Sequence, residues 1–73
     1  MIIKLTNTHP TFKGQPVLLN TDFFVSVHRG FATRGEGDSS ALEEVTYIHC
    51  PPHGNWEVNE TPEQIYDLIK QLN

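Results

Sequence analysis

Short alternating runs of apolar and polar residues predict β-strands along most of the chain. In the clearest of these runs, Phe23, Val25 and Val27 fall on one face because successive side chains of a strand point to opposite sides. Trp56 and Val58 likewise share one face of the last run. The predicted strands are rich in β-branched and aromatic side chains and cover residues 2–6, 16–20, 23–28, 44–49 and 56–59.

The apolar spacing changes to a helical period after residue 60. Thr61 suits the cap of a helix, and Pro62 suits its first turn because proline lacks the N–H that would be unpaired there. Gln64 follows Thr61 at the spacing of a capping box. An apolar stripe continues at i, i+3, i+4 and i+7 with Ile65, Leu68, Ile69 and Leu72. The pattern predicts a helix over residues 61–72 that covers one face of a sheet.

Together these elements predict an α+β fold in one β-rich domain spanning residues 1–73. We expect a small, curved antiparallel sheet of four to five strands with the C-terminal helix packed on it. Residues 30–42, GFATRGEGDSSAL, are rich in Gly and Ser. Their apolar residues follow neither the alternation of a strand nor the spacing of a helix, so we interpret them as a mobile loop. A chain of 73 residues buries little core, which favours support from a partner.

Charge and cysteine content narrow the classes of function. The formal net charge is −4 and the five Lys and Arg residues are scattered, which argues against nucleic-acid binding because that affinity comes from clustered basic residues. The lone cysteine, the lack of an apolar signal run at the start and the lack of a membrane-length apolar segment predict a cytoplasmic protein. Acidic residues crowd the C-terminal part, as a solvated face or as a surface for a basic partner: Glu57, Glu60, Glu63 and Asp67.

The segment HCPPHGNW, residues 49–56, holds the only Cys and the only Trp. A zinc site would use His49, Cys50 and His53, but neighbouring strand residues diverge and a distant fourth ligand would be needed. A thiol enzyme would use Cys50 with His53 as its base. Pro51 and Pro52 instead end a strand at Cys50, which predicts a hairpin connection of about five residues. We therefore expect no catalytic residue and no cofactor, and the zinc set remains the alternative.

The order of the motifs resembles the small FlbD-type proteins of flagellar operons and similar short proteins of phages and prophages. The chain reads IKLT at residues 3–6, LLNTDFFVSV at 18–27, VTYI at 45–48 and VNETPEQI at 58–65. The resemblance implies a small accessory or regulatory protein without catalytic residues, in a bacterial or phage-infected host cell. The long 30–42 segment and CPPHGN at residues 50–55 depart from the family pattern, and a different partner is expected at these departures.

We expect a small non-enzymatic accessory protein that acts by protein–protein binding, as a modulator of a host complex. The size of the chain and its lack of a catalytic constellation motivate this expectation. A homodimer through a free sheet edge would also hide that edge and enlarge the core. The candidate contact residues are loop, aromatic and charged side chains: His53, Trp56, Arg29, Arg34, Glu57, Glu60, Glu63 and Asp67.

Overall fold

Within the described residues, five strands and one α-helix follow in the predicted order, and the first two strands have the predicted ends. The computed structural model describes residues 1–35, 37, 40–51 and 53–71. The α+β class and the antiparallel pairing are confirmed. The elements are β1 (Ile2–Thr6), β2 (Pro16–Asn20), β3 (Ser26–Arg34), β4 (Ala41–Cys50), β5 (Gly54–Val58) and α1 (Pro62–Gln71).

The strands form two antiparallel sheets rather than the single four- to five-stranded sheet that the sequence predicts. β1 pairs with β2, and the second sheet has the order β3-β4-β5. The two sheets meet at an isolated bridge between Asn7 and Val58, beside which Thr8 N donates to Glu57 O at 3.1 Å. The pairing of β1 with β5 stops there because the chain beyond Val58 turns into α1.

Residues 30–42 are mostly strand, which corrects their interpretation as a loop. Residues 30–34 belong to β3, and residues 41–42 belong to β4. Gly30 pairs with Val45, and the Tyr47 ring takes the space above it, since a Cβ at Gly30 would lie 2.9 Å from Tyr47 Cε2. Cross-strand neighbours thus outweigh a Gly- and Ser-rich composition. Residues 36, 38 and 39 lie outside the described residues, and the mobility of the segment stays a prediction.

The third strand begins later than predicted because the chain turns after β2. Asn20 Oδ1 accepts from Asp22 N at 3.0 Å, and Phe24 N donates to Thr21 O at 3.1 Å. An Asn side chain that binds the backbone two residues later favours a turn over continued strand pairing. Phe23 therefore belongs to the short 3-10 turn Thr21–Phe23 and not to a strand.

The helix is held by its cap and by a core shared between the sheets. Thr61 N donates to Gln64 Oε1 at 2.9 Å and Gln64 N donates to Thr61 Oγ1 at 3.1 Å, which confirms the capping box. Leu68 and Ile69 are partly buried as predicted, and Leu72 lies outside the described residues. Ile65 packs in one buried cluster with residues of both sheets: Ile3, Leu5, Leu19, Ile48, Cys50 and Val58.

No helix in the described part of the chain could span a bilayer, given its length and polarity.

Candidate functional site

The strand that precedes the two prolines ends as predicted. β4 stops at Cys50, and β5 begins at Gly54, so the connection is shorter than the predicted five residues. His53 N donates to Cys50 O at 2.8 Å and closes the turn. Gly54 has φ +91°, a conformation that glycine adopts without the steric penalty of a side chain. Pro52 lies outside the described residues.

The side chains of the alternative zinc set diverge. Cys50 is 0% exposed and packs in the core, whereas His49 is exposed on the opposite face and its Nδ1 contacts Asn55 Oδ1 on β5. His53 is exposed and its ring centroid lies 5.4 Å from that of Phe23, edge to face. Among residues 1–35, 37, 40–51 and 53–71, no three His, Cys, Asp or Glu side chains gather as metal ligands would. The alternative that joined His49, Cys50 and His53 is therefore wrong.

A groove of about 380 Å³ follows the outer edge of β2. Its lining includes Leu18 and Leu19, which point to opposite faces of the strand, so the groove lies along the strand edge and not over one face. Phe23, His53 and Trp56 also line it, which brings together two of the predicted contact residues. We call this surface the apolar groove and define it by Ile2, Leu18, Phe23, His53 and Trp56.

Backbone groups of β2 face this groove. Thr21 N donates to Met1 O at 2.8 Å, and Asn7 N donates to Gln15 O at 2.9 Å, so the odd-numbered residues of this region bond toward β1. Because ladder hydrogen bonds alternate along an antiparallel strand, the N–H and C=O of Leu18 point away from β1. β2 has no further strand neighbour within the described chain. The groove therefore combines apolar side chains with unpaired main-chain groups.

Several apolar side chains around the apolar groove are more exposed to solvent than apolar side chains of a folded protein usually are. Leu18 is 65% exposed and Ile2 is 56% exposed, on the outer face of the β1–β2 pair. Trp56 is half-buried, and its Nε1 is buried without an acceptor among the described residues. Contiguous exposed apolar surface beside polar groups is typical of protein-binding sites. His53 and Trp56 were predicted as contact residues, whereas Ile2, Leu18 and Phe23 were not. Ile2 and Leu18 could have been found because they alternate with the core residues Ile3 and Leu19 along their strands. Phe23 lies in the 3-10 turn, where strand alternation does not apply.

Arg34 and Glu57 form an internal ion pair, so they are not free contact residues. Arg34 also donates to Glu43 Oε2 at 3.0 Å, and Thr8 Oγ1 donates to Glu57 Oε1 at 2.8 Å. Desolvation lowers the pKa of the Arg34 guanidinium, but Glu57 and Glu43 raise that pKa by more through their charges and hydrogen bonds. Lys13 approaches Glu43 at 3.8 Å and extends the network. These contacts link residues 7–15, the connection between β1 and β2, to the second sheet.

Arg29 and Glu60 also have partners within the chain. Arg29 Nε donates to Glu44 Oε1 at 2.9 Å, and its Nη1 donates to Thr46 Oγ1 at 3.0 Å. Glu60 accepts from the backbone N–H and the hydroxyl of Thr6, both at 2.9 Å. The long-range bond to Thr6 fixes the chain between β5 and α1 against β1. Both residues therefore hold the fold together in addition to any role at the surface.

The predicted acidic surface is not assembled as one patch. Glu57 and Glu60 point into the internal contacts just described, and only Glu63 and Asp67 are exposed among the four predicted acids. Exposed acids on the first turns of a helix are typical of a solvated face that also favours the helix dipole. Two such charges are a weak basis for docking a basic partner.

The face of the second sheet opposite α1 carries a polar and aromatic surface that sequence analysis did not single out. His28, Tyr47, His49 and Asn55 line a groove of about 460 Å³ there. The His28 and Tyr47 rings lie 5.7 Å apart, centroid to centroid. We call this surface the open face. Tyr47 and His49 share one face of β4 because strand side chains alternate, and the burial of Cys50 shows that the core lies on the other face.

No family model, curated protein or solved structure matches the chain. The resemblance to FlbD-type proteins stays a prediction. The assignment of function therefore depends on the surfaces of this chain itself.

Proposed function

We propose that this chain is a small non-enzymatic accessory or regulatory protein that binds a partner protein through the apolar groove. The observation that carries the proposal is a free strand edge flanked by large exposed apolar side chains, with Leu18 65% exposed. Burial of such side chains against a partner would remove apolar area from water, which drives most protein association. We also propose that the partner is a cytoplasmic host complex in a bacterial or phage-infected cell, and that binding modulates this complex.

An extended segment of the partner fits the apolar groove best. A strand added beside β2 would bond to the outward N–H and C=O of Leu18, and its alternate side chains would contact Phe23 and Trp56 on the opposite wall. Main-chain bonds supply affinity in this mode, and the side-chain contacts supply selectivity. Burial of the Cys50 thiol supports a non-enzymatic role, because a nucleophile must reach its substrate.

Affinity capture from a bacterial lysate with the full chain tests this proposal. We expect one protein to be retained by the wild type and by Leu42→Lys, but to be lost with Leu18→Lys. Leu42 is the matched control because it is 70% exposed, is also a strand leucine and lies outside the apolar groove. Far-UV circular dichroism verifies that both variants fold.

Salt dependence separates the apolar groove from an acidic docking surface. Retention through apolar contacts should persist at about 1 M salt, whereas binding through Glu63 and Asp67 should be screened there. The proposal is contradicted if the wild type retains nothing at low or high salt, or if Leu18→Lys retains the partner as well as Leu42→Lys does.

A further inference from the structure

We infer that β3 pairs antiparallel with β3 of a second copy of this chain, which gives a reversible dimer about a two-fold axis near Gly30 and Phe31. β3 is the edge strand of the order β3-β4-β5, and within the described residues no strand lies beside its outer edge. This edge is separate from the apolar groove beside β2, so the inference does not depend on the proposed function.

The hydrogen-bond pattern shows which backbone groups of β3 face outward. Glu57 O accepts from Thr8 N, so the backbone groups of Glu57 point away from β4. Glu57 pairs with Tyr47, and the backbone groups of Tyr47 therefore point to β3, where its partner is His28. The His49 carbonyl, two residues after Tyr47 on β4, also points to β3, because it accepts from Val25 N at 2.8 Å. Alternation then leaves outward the N–H and C=O of Val27, Arg29, Phe31 and Thr33. The Phe31 C=O accepts from the Tyr47 hydroxyl at 3.5 Å, a long contact that pairing with a second strand would replace.

The β3 edge lacks two of the usual protections against pairing with another strand, Lys and Pro residues, although α1 contacts β3. Its sequence, SVHRGFATR, contains neither Lys nor Pro, and it spans nine residues. Exposed edges are commonly blunted by Lys, Pro, a bulge or a short length. Its two arginines are drawn back over their own sheet, because Arg29 binds Glu44 and Arg34 binds Glu43. These ion pairs within each copy reduce the repulsion between the arginines of two β3 strands.

Charge and side-chain fit restrict the register of the pairing. A two-fold axis at Arg29 would place two arginines opposite each other, which destabilises a strand pair. An axis at Phe31 places the two phenylalanines opposite each other, and an axis at Gly30 places Phe31 opposite Arg29 of the second copy; both pairs are favourable. Either axis keeps the same face of both sheets on one side. Phe31 is 63% exposed and is free to make this contact.

The contact area predicts a weak dimer. A strand of nine residues is about 30 Å long, and a sheet edge is about 10 Å thick, so pairing buries on the order of 600 Å² over both copies. Stable interfaces bury about 1,200–2,000 Å². We therefore expect a dissociation constant weaker than about 1 μM, with dimers forming as the concentration approaches about 1 mM.

Sedimentation equilibrium of the full chain tests the inference. The mass should rise with concentration from 8.3 kDa toward twice that value. Phe31→Lys places a cation opposite its counterpart or opposite Arg29, and we expect it to weaken association by about tenfold or more. Leu18→Lys is the matched control, since Leu18 has nearly the same exposure, 65%, but lies on the other sheet, and it should dimerise like the wild type.

Two results would overturn the inference. One is a mass that stays at 8.3 kDa throughout the concentration range. The other is association that survives Phe31→Lys but is lost with Leu18→Lys, which would place the contact at β2. A dimer that survives Leu18→Lys, together with a failed capture experiment, would refute the proposed function and leave this inference standing.

Discussion

Substitutions of Cys50 test whether its thiol stabilises the hydrophobic core or takes part in a chemical reaction. The side chain is 0% exposed and packs against apolar residues of both sheets. Cys50→Ala removes one heavy atom from a fully buried position, and the lost burial and small cavity should cost about 1 kcal/mol. Cys50→Ser replaces sulfur with the smaller oxygen and places a hydroxyl without a partner in apolar surroundings, which should cost about 1–3 kcal/mol. We therefore expect the serine variant to be the least stable.

Urea unfolding followed by Trp56 fluorescence and far-UV circular dichroism measures this order. Each 1 kcal/mol corresponds to about 4–8 °C in Tm for a domain of this size. Independently, a disulfide reagent should label Cys50 about 100-fold more slowly in the native chain than in urea, because labelling requires opening of the core. A serine variant as stable as the wild type, or a native thiol that reacts as fast as the unfolded one, would contradict the burial of Cys50 in the core.

Three further variants test the core, the helix cap and the internal ion pair. Ile65→Ala should cost about 2–5 kcal/mol, close to the whole stability of so small a domain, and should leave much of the chain unfolded by circular dichroism. Thr61→Ala should cost about 1 kcal/mol through loss of the cap, and Thr11→Ala, an exposed control, should stay within about 0.5 kcal/mol in urea unfolding. Glu57→Gln should lower Tm more than Glu63→Gln, and the difference should shrink at about 1 M salt; equal effects would contradict the internal role of Glu57.

Local sequence patterns predicted the elements whose ends are set by nearby residues. The ends of β1 and β2 follow from short apolar runs beside turn residues, and the helix start follows from Thr61, Pro62 and Gln64. The end of β4 follows from the missing N–H groups of the two prolines after Cys50. Each of these features acts within a few residues along the chain, which is why periodicity and capping rules predict it.

Features that depend on distant residues could not be predicted in this way. The 30–34 segment forms strand because β4 pairs with it and because Tyr47 covers Gly30, and neither contact is visible in a Gly- and Ser-rich composition. The division into two sheets depends on where the chain leaves β5 for α1. The same distinction applies to the predicted contact residues. His53 and Trp56 line the apolar groove. Arg34 and Glu57 instead form an ion pair with each other across 23 residues of sequence, which local patterns could not predict.

Amide hydrogen exchange of β2, measured by NMR in dilute solution, tests most directly whether the edge beside the apolar groove is free. If the edge is free, the Leu19 amide, which bonds toward β1, should exchange slowly, while the neighbouring Leu18 amide should exchange close to the rate of an unfolded chain. Equal protection of the two amides would show that the edge is already paired.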